Sequence, residues 1–244
     1  MEQLKEVQNY QEEFSFSKKP NIFLFLFSPV KQFERLRREP VALGPMFLIL
    51  GIALIGLLIP VLVGQGGLIP QAGTDMYIED GMYMDEFYYE EPSPLGSFNL
   101  DQFLSGALVW GSVLAIFAAA PPLIALLFLA FARMQSNKVT YGKLYSLTVF
   151  TMLPVAIGFL YLMTINAING TYGYIYTAPS VFVPQENLFY PLLSSLEIST
   201  LAFIILVVVG LIKVADFNRF PAFAIGTGMF AVVFVIQLVE GVVR

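Results

Sequence analysis

Lysine and arginine are confined to three stretches of this chain, and long apolar runs separate those stretches from segments that hold neither residue. Of its 13 Lys and Arg, all but Arg244 fall within residues 5–38, 133–143 and 213–219. The polar segments between, 64–101 and 169–191, contain no Lys or Arg, and the first carries Asp75, Glu79, Asp80, Asp85, Glu86, Glu90, Glu91 and Asp101. Cationic loops retained on one side of a bilayer are the signature of a polytopic membrane protein, and they set its orientation as well as its span count.

The apolar runs lie at about 43–64, 102–132, 144–168, 192–212 and 221–241, and each is long enough to cross roughly 30 Å of hydrocarbon. Residues are 57% hydrophobic and 13% charged, about half the charged share that keeps a soluble domain dissolved. The fold class that follows is all-α membrane: five transmembrane helices, preceded by a short amphipathic interfacial helix. Residues 1–20 read as a disordered tail, 21–40 as the interfacial helix, and 41–244 as the five-span domain with an acidic external loop at 64–101. With five spans the N-terminus and the turns at 133–143 and 213–220 are cytoplasmic. The acidic loop, the 169–191 loop and the C-terminus are outside. Pro121-Pro122 and Pro154 predict kinks, because proline removes a backbone donor and crowds the preceding turn.

The interfacial helix is bounded by its own sequence. Ser28-Pro29 supplies a cap and a proline at the first helical position, and Pro40 ends the helix by disfavouring helical geometry at Glu39. Val30, Phe33 and Leu36 recur at helical spacing, with Lys31, Arg35, Arg37 and Arg38 on the remaining surface. Such a helix is expected to lie flat, apolar edge in the lipid and arginines at the headgroups. Phe33, Arg35, Arg37 and Arg38 are therefore the candidates for contact with the inner membrane surface or a partner there.

The chain has no Cys and no His. Disulfides, zinc sites built on those ligands and histidine-based catalysis are thereby excluded. The acidic loop does not follow the D-x-[DN]-x-[DN]-G spacing of a calcium loop. Its acids interleave with tyrosine and methionine, an adhesive combination that suits a protein partner. Asp80, Asp85, Glu86, Tyr88 and Tyr89 are the outer candidates. Within the spans Asn166, Glu197, Gln237 and Glu240 are polar. All four fall toward the outer ends, at a depth that would let them form one cluster between helices. Intramembrane proteolysis is disfavoured, since neither paired span aspartates nor a serine with a basic partner is present. No enzyme activity, cofactor, metal or nucleic-acid partner is expected.

Three segments carry a resemblance. FSPVKQFERLRREPVALGPMFLIL, KVTYGKLYSLTVFTMLPVAIG and VVGLIKVADFNRFPAFAIGTG are similar, in order and spacing, to the entry segment, third span and fourth turn of bacterial Yip-domain proteins. The resemblance implies a five-span protein with a cytoplasmic N-terminus. Eukaryotic members are linked to Rab-type GTPases, but their D-L-Y-G-P motif is not found in this chain. Some bacterial members accompany an ABC transporter of the macrolide-exporter type and its membrane-fusion protein, in one case in protection against a toxic peptide. The resulting expectation is a non-enzymatic protein of the bacterial plasma membrane, an accessory or scaffold subunit of a membrane complex such as an ABC exporter. The alternative is a small transporter or channel using Glu197 and Gln237.

Overall fold

A computed structural model describes residues 19–62, 100–169, 177–184, 187 and 189–243. Residues 1–18 of the expected tail and 64–99 of the expected acidic loop, with Asp80, Asp85, Glu86, Tyr88 and Tyr89, lie outside the described residues, whereas Asp101, expected in that loop, is already helical. The described helices are α1 (Ile22–Phe25), α2 (Pro29–Arg38), α3 (Leu43–Leu62), α4 (Leu100–Met134), α5 (Tyr141–Thr151), α6 (Leu153–Asn169), α7 (Tyr190–Ser195), α8 (Ile198–Val214) and α9 (Arg219–Val243), with a 3-10 turn at Pro179–Phe182. Among the described residues four helical stretches are long and apolar enough to cross a membrane: Leu43–Pro60, Leu108–Met134, Tyr141–Asn169 and Arg219–Val239. A fifth apolar helix, Ile198–Val214, has 17 residues, about 25 Å of rise against roughly 30 Å of hydrocarbon.

That short helix is the centre of the bundle. Around α8 pack α2, α5, α6 and α9, while α3 lies along α6 and α4 along α5. The prolines act as backbone chemistry dictates, with different outcomes. Met152 interrupts the third apolar run two residues before Pro154, although Ala156 N–H still reaches the Met152 carbonyl at 3.0 Å. Pro121 and Pro122 instead sit inside one continuous helix. Buried Thr148 donates to the Pro121 carbonyl at 3.0 Å, the kind of side-chain support that lets proline persist within a membrane helix.

The helix ends that carry the bases meet at one end of the bundle. Ser136 ends α4 in the left-handed region (φ 56°). Ser136 N–H then reaches the Arg133 carbonyl and Asn137 N–H the Ala132 carbonyl, which satisfies carbonyls the helix would otherwise leave open. Asp216 (φ 53°) makes the corresponding reversal after α8. Asp is one of the few side-chain types after glycine that tolerate this conformation. The two turns are joined directly, because the Asn137 side-chain amide donates to the Ala215 carbonyl.

Onto this end folds the N-terminal helix pair. Asn21 caps α1 through the amides of Phe23 and Leu24, and its own N–H donates to buried Gln32 at 2.9 Å. Phe25 meets Phe33 edge-on at 5.1 Å and Phe150 at 5.5 Å, a geometry worth ~1 kcal/mol per pair beyond area burial. Phe33 and Leu36 are fully enclosed. Gly210 makes room for Phe33: a β-carbon there would come within 3.0 Å of the Phe33 ring and 2.5 Å of Leu147. The expectation of an apolar edge turned to lipid is thus revised. Phe33 is a core residue, not a membrane or partner contact, and the protein itself occupies that edge. Val30 alone of the three apolar positions remains exposed.

Phe33→Ala should lower the thermal midpoint in mild detergent, in line with the ~3–5 kcal/mol lost when an enclosed phenylalanine is truncated. It should also speed tryptic cleavage at Arg35, Arg37 and Arg38. Gly210→Leu should do the same by evicting the ring. Midpoint and cleavage both unchanged in the two variants would show that α2 is not seated on the bundle.

Candidate functional site

The fourth apolar run is not one helix. α7 ends at Ser195, Leu196 and Glu197 leave helical geometry, and α8 starts at Ile198. No proline or glycine lies at the break. The segment is instead dense in groups that compete for backbone hydrogen bonds, namely Ser194, Ser195, Glu197, Ser199 and Thr200. Opened backbone inside an apolar layer must find partners within the protein, and the 177–183 segment supplies one. The Thr177 carbonyl accepts the Ile198 N–H at 3.4 Å, and Ala178 and Ser180 are buried beside it. Part of the segment expected as an outer loop is therefore tucked into the bundle.

Glu197 stands at the N-cap position of α8, where the helix dipole favours negative charge. Its carboxylate gathers hydroxyls. Ser199 donates to Oε1 at 2.5 Å, Thr177 to Oε1 at 3.3 Å, and Thr200 to Oε2 at 2.6 Å. Gly158 of α6 permits this approach, since a β-carbon there would meet Ser199 at 2.5 Å and approach Glu197 Oε1 to 3.6 Å. One turn earlier, the buried Ser194 hydroxyl has no hydrogen-bond partner among the described residues, a deficit worth ~1–3 kcal/mol.

Depth can be read from the glycine contacts. Gly158 precedes Asn169, the end of α6, by about 16 Å of helix rise. Glu197 is therefore set well below the tip of α6. Gly226 of α9 crosses α8 at Val208, whose side chain a β-carbon would meet at 2.4 Å. Counting along the antiparallel pair, Gln237 and Glu197 each lie about 16 Å from that crossing, so they share a level. Asn166, which is buried, lies about 12 Å further along α6 than Gly158. By helix rise Glu197 and Gln237 stand at one level, with Asn166 further along α6. The Glu240 side chain lies outside the described residues.

At the opposite, basic end, Arg37 pairs with Asp216 at 2.8 Å, with both side chains more than half exposed. An exposed pair of this kind contributes ~0–1 kcal/mol, so it orients α2 over the α8–α9 turn rather than holding it there. Arg38 is exposed and Arg35 half-buried. The four inner candidates thus have different roles: Phe33 is the anchor, and the arginines form a surface fixed by that anchor. Sequence reasoning passed over Asp216, Asn137 and Gly210. A lone acid inside a basic turn was a signal for the first. Asn137 and Gly210 gave none, because their roles depend on which elements meet.

Comparison with known proteins gives these helices a family. The Yip1 domain model matches residues 23–239. The chain belongs to the Yip1-domain family. Membrane protein YknW of Bacillus subtilis (strain 168) is 24% identical over 234 residues, 93% of each chain. No solved structure matches. The family and the apolar helices make this an integral membrane protein, and the matched region includes the docked α2 and the Glu197 break alike.

Gly158→Ala should cost ~1–3 kcal/mol by overpacking against Ser199, and Ser199→Gly should restore most of that loss. Thermal unfolding of the two single variants and the double variant in detergent checks this. Strictly additive losses would mean that α6 and α8 do not cross at this point.

Proposed function

We propose that the chain is a non-enzymatic accessory or scaffold subunit of a membrane complex in a bacterial plasma membrane, with an ABC exporter active against a toxic peptide as the assembly it serves. The observation that carries this reading is the seating of α2. A positive-inside anchor needs only charge, whereas here an enclosed aromatic cluster fixes the arginine helix in one orientation over the helix turns. A rigid array of guanidinium groups suits recognition of a partner's carboxylates or lipid phosphates, since Arg binds both bidentately. In this reading α7 and α8 together make the fifth crossing, the basic end faces the cytoplasm, and the acidic segment with Asp80, Asp85, Glu86, Tyr88 and Tyr89 meets an external domain of a partner such as a membrane-fusion protein. That the bacterial relative is also a membrane protein is in keeping with this setting.

A second reading has one observation behind it. A carboxylate at a helix break within the apolar layer is the arrangement by which discontinuous helices present ion and substrate sites in transporters. Here Glu197, with its three hydroxyls, would take part in small-solute or ion movement.

Purification in mild detergent at native expression should co-isolate further subunits, and replacing Arg35, Arg37 and Arg38 with Gln should release them while leaving the chain folded and inserted. Recovery of the wild-type chain alone, with liposome flux abolished by Glu197→Gln, would contradict the scaffold reading and establish the transport one.

A further inference from the structure

A groove of about 680 Å³ opens on the surface between α4, α8 and α9. Its walls are apolar, and among the described residues its one polar lining residue is Gln135 at the basic end. Along α4 it runs from Gln135, just past the helix end, by Phe131 to Ile124, and on α9 from Phe220 past Gly228 to Val233. Helix rise makes these lengths about 16 and 20 Å. One leaflet of hydrocarbon is about 15 Å deep, half the ~30 Å core. The groove therefore starts at the basic face and ends near the middle of the apolar layer.

Its size and lining suit a flexible hydrocarbon chain or another small apolar ligand. Its mouth is cationic. Arg219 is exposed and immediately precedes Phe220, while Arg133, Lys138 and Lys213 are exposed around the same end. The nearby acid Asp216 is engaged by Arg37. Charge at the mouth and hydrocarbon-lined walls together match an anionic amphiphile.

We propose that this groove binds an anionic glycerophospholipid of the leaflet at the basic end. An acyl chain lies between α4 and α9, and the phosphate sits near Gln135 and Arg219. The two glycines of the Gly226-Thr227-Gly228 segment then have separate tasks. Gly226 allows α9 to pack on Val208, whereas a β-carbon at Gly228 meets nothing within 4 Å and faces the open groove.

The test is native mass spectrometry of the protein taken from nanodiscs of mixed phosphatidylglycerol and phosphatidylcholine. Wild-type protein should retain phosphatidylglycerol through delipidation. Gly228→Leu, which fills the groove, should lose it at an unchanged thermal midpoint. Gly111→Leu, which adds the same side chain at an exposed and open position of α4 outside the groove, should retain it. Arg219→Gln should keep a bound lipid but reduce the preference for phosphatidylglycerol about fivefold, the effect of one interfacial charge. The proposal is overturned if wild-type protein retains neither lipid selectively, if Gly228→Leu retains phosphatidylglycerol as wild type does, or if Gly228→Leu removes a protein partner and leaves the lipid in place.

Discussion

The ring of Phe33 reaches the floor of the bundle because residue 210 has no side chain, and much of the basic end depends on that contact. With Phe33 enclosed by Phe25, Leu147 and Gly210, α2 cannot drift on the membrane surface as a tethered amphipathic helix would. Its arginines then occupy a fixed position relative to the α8–α9 turn, and Arg37 finds Asp216 without having to supply the binding energy itself. Hydrophobic burial holds the element, and the exposed ion pair, worth ~0–1 kcal/mol, only selects its rotation.

The other half of the bundle follows a different constraint. Backbone that leaves helical geometry inside an apolar layer has no water to satisfy it, so the Leu196–Glu197 break depends on what surrounds it. Thr177 returns to the break with both its carbonyl and its hydroxyl, and Ser199 and Thr200 turn onto the Glu197 carboxylate. Gly158 is the position that lets α6 come close enough for this to happen. A single site thus combines a carboxyl group, three hydroxyls and a serine without a hydrogen-bond partner among the described residues, in a region where each polar group is costly. Cost alone does not assign a role, but it confines the chemistry of this half of the molecule to one place.

Much of this was legible in the sequence and some was not, for identifiable reasons. The segregation of bases is a property of composition along the chain, so it foretold membrane embedding and the helices at 43–62 and 219–243. Pro29 and Pro40 bracket α2, because proline acts locally, but the single helix expected over 21–40 is divided into α1 and α2, and Ser28 donates to the Leu24 carbonyl instead of capping α2. What an apolar edge faces is not a local property. Val30, Phe33 and Leu36 have the same spacing whether lipid or protein covers them, so the burial of Phe33 was invisible. The break at Leu196–Glu197 lacked proline and glycine, and only its crowding of hydroxyls hinted at it. Gly158, Gly210, Gly226 and Gly228 read alike in sequence. Three are packing sites and one faces open space, a difference set by how the helices register.

The absence of cysteine makes the central claim directly measurable. Cysteines placed singly and together at Arg37 and Asp216, in native membranes treated with a short bismaleimide, test whether α2 is docked on the α8–α9 turn. The account predicts rapid intramolecular crosslinking of the pair, since losing the exposed ion pair leaves the Phe33 anchor intact. Efficient labelling of each single cysteine with no crosslink in the pair would contradict it.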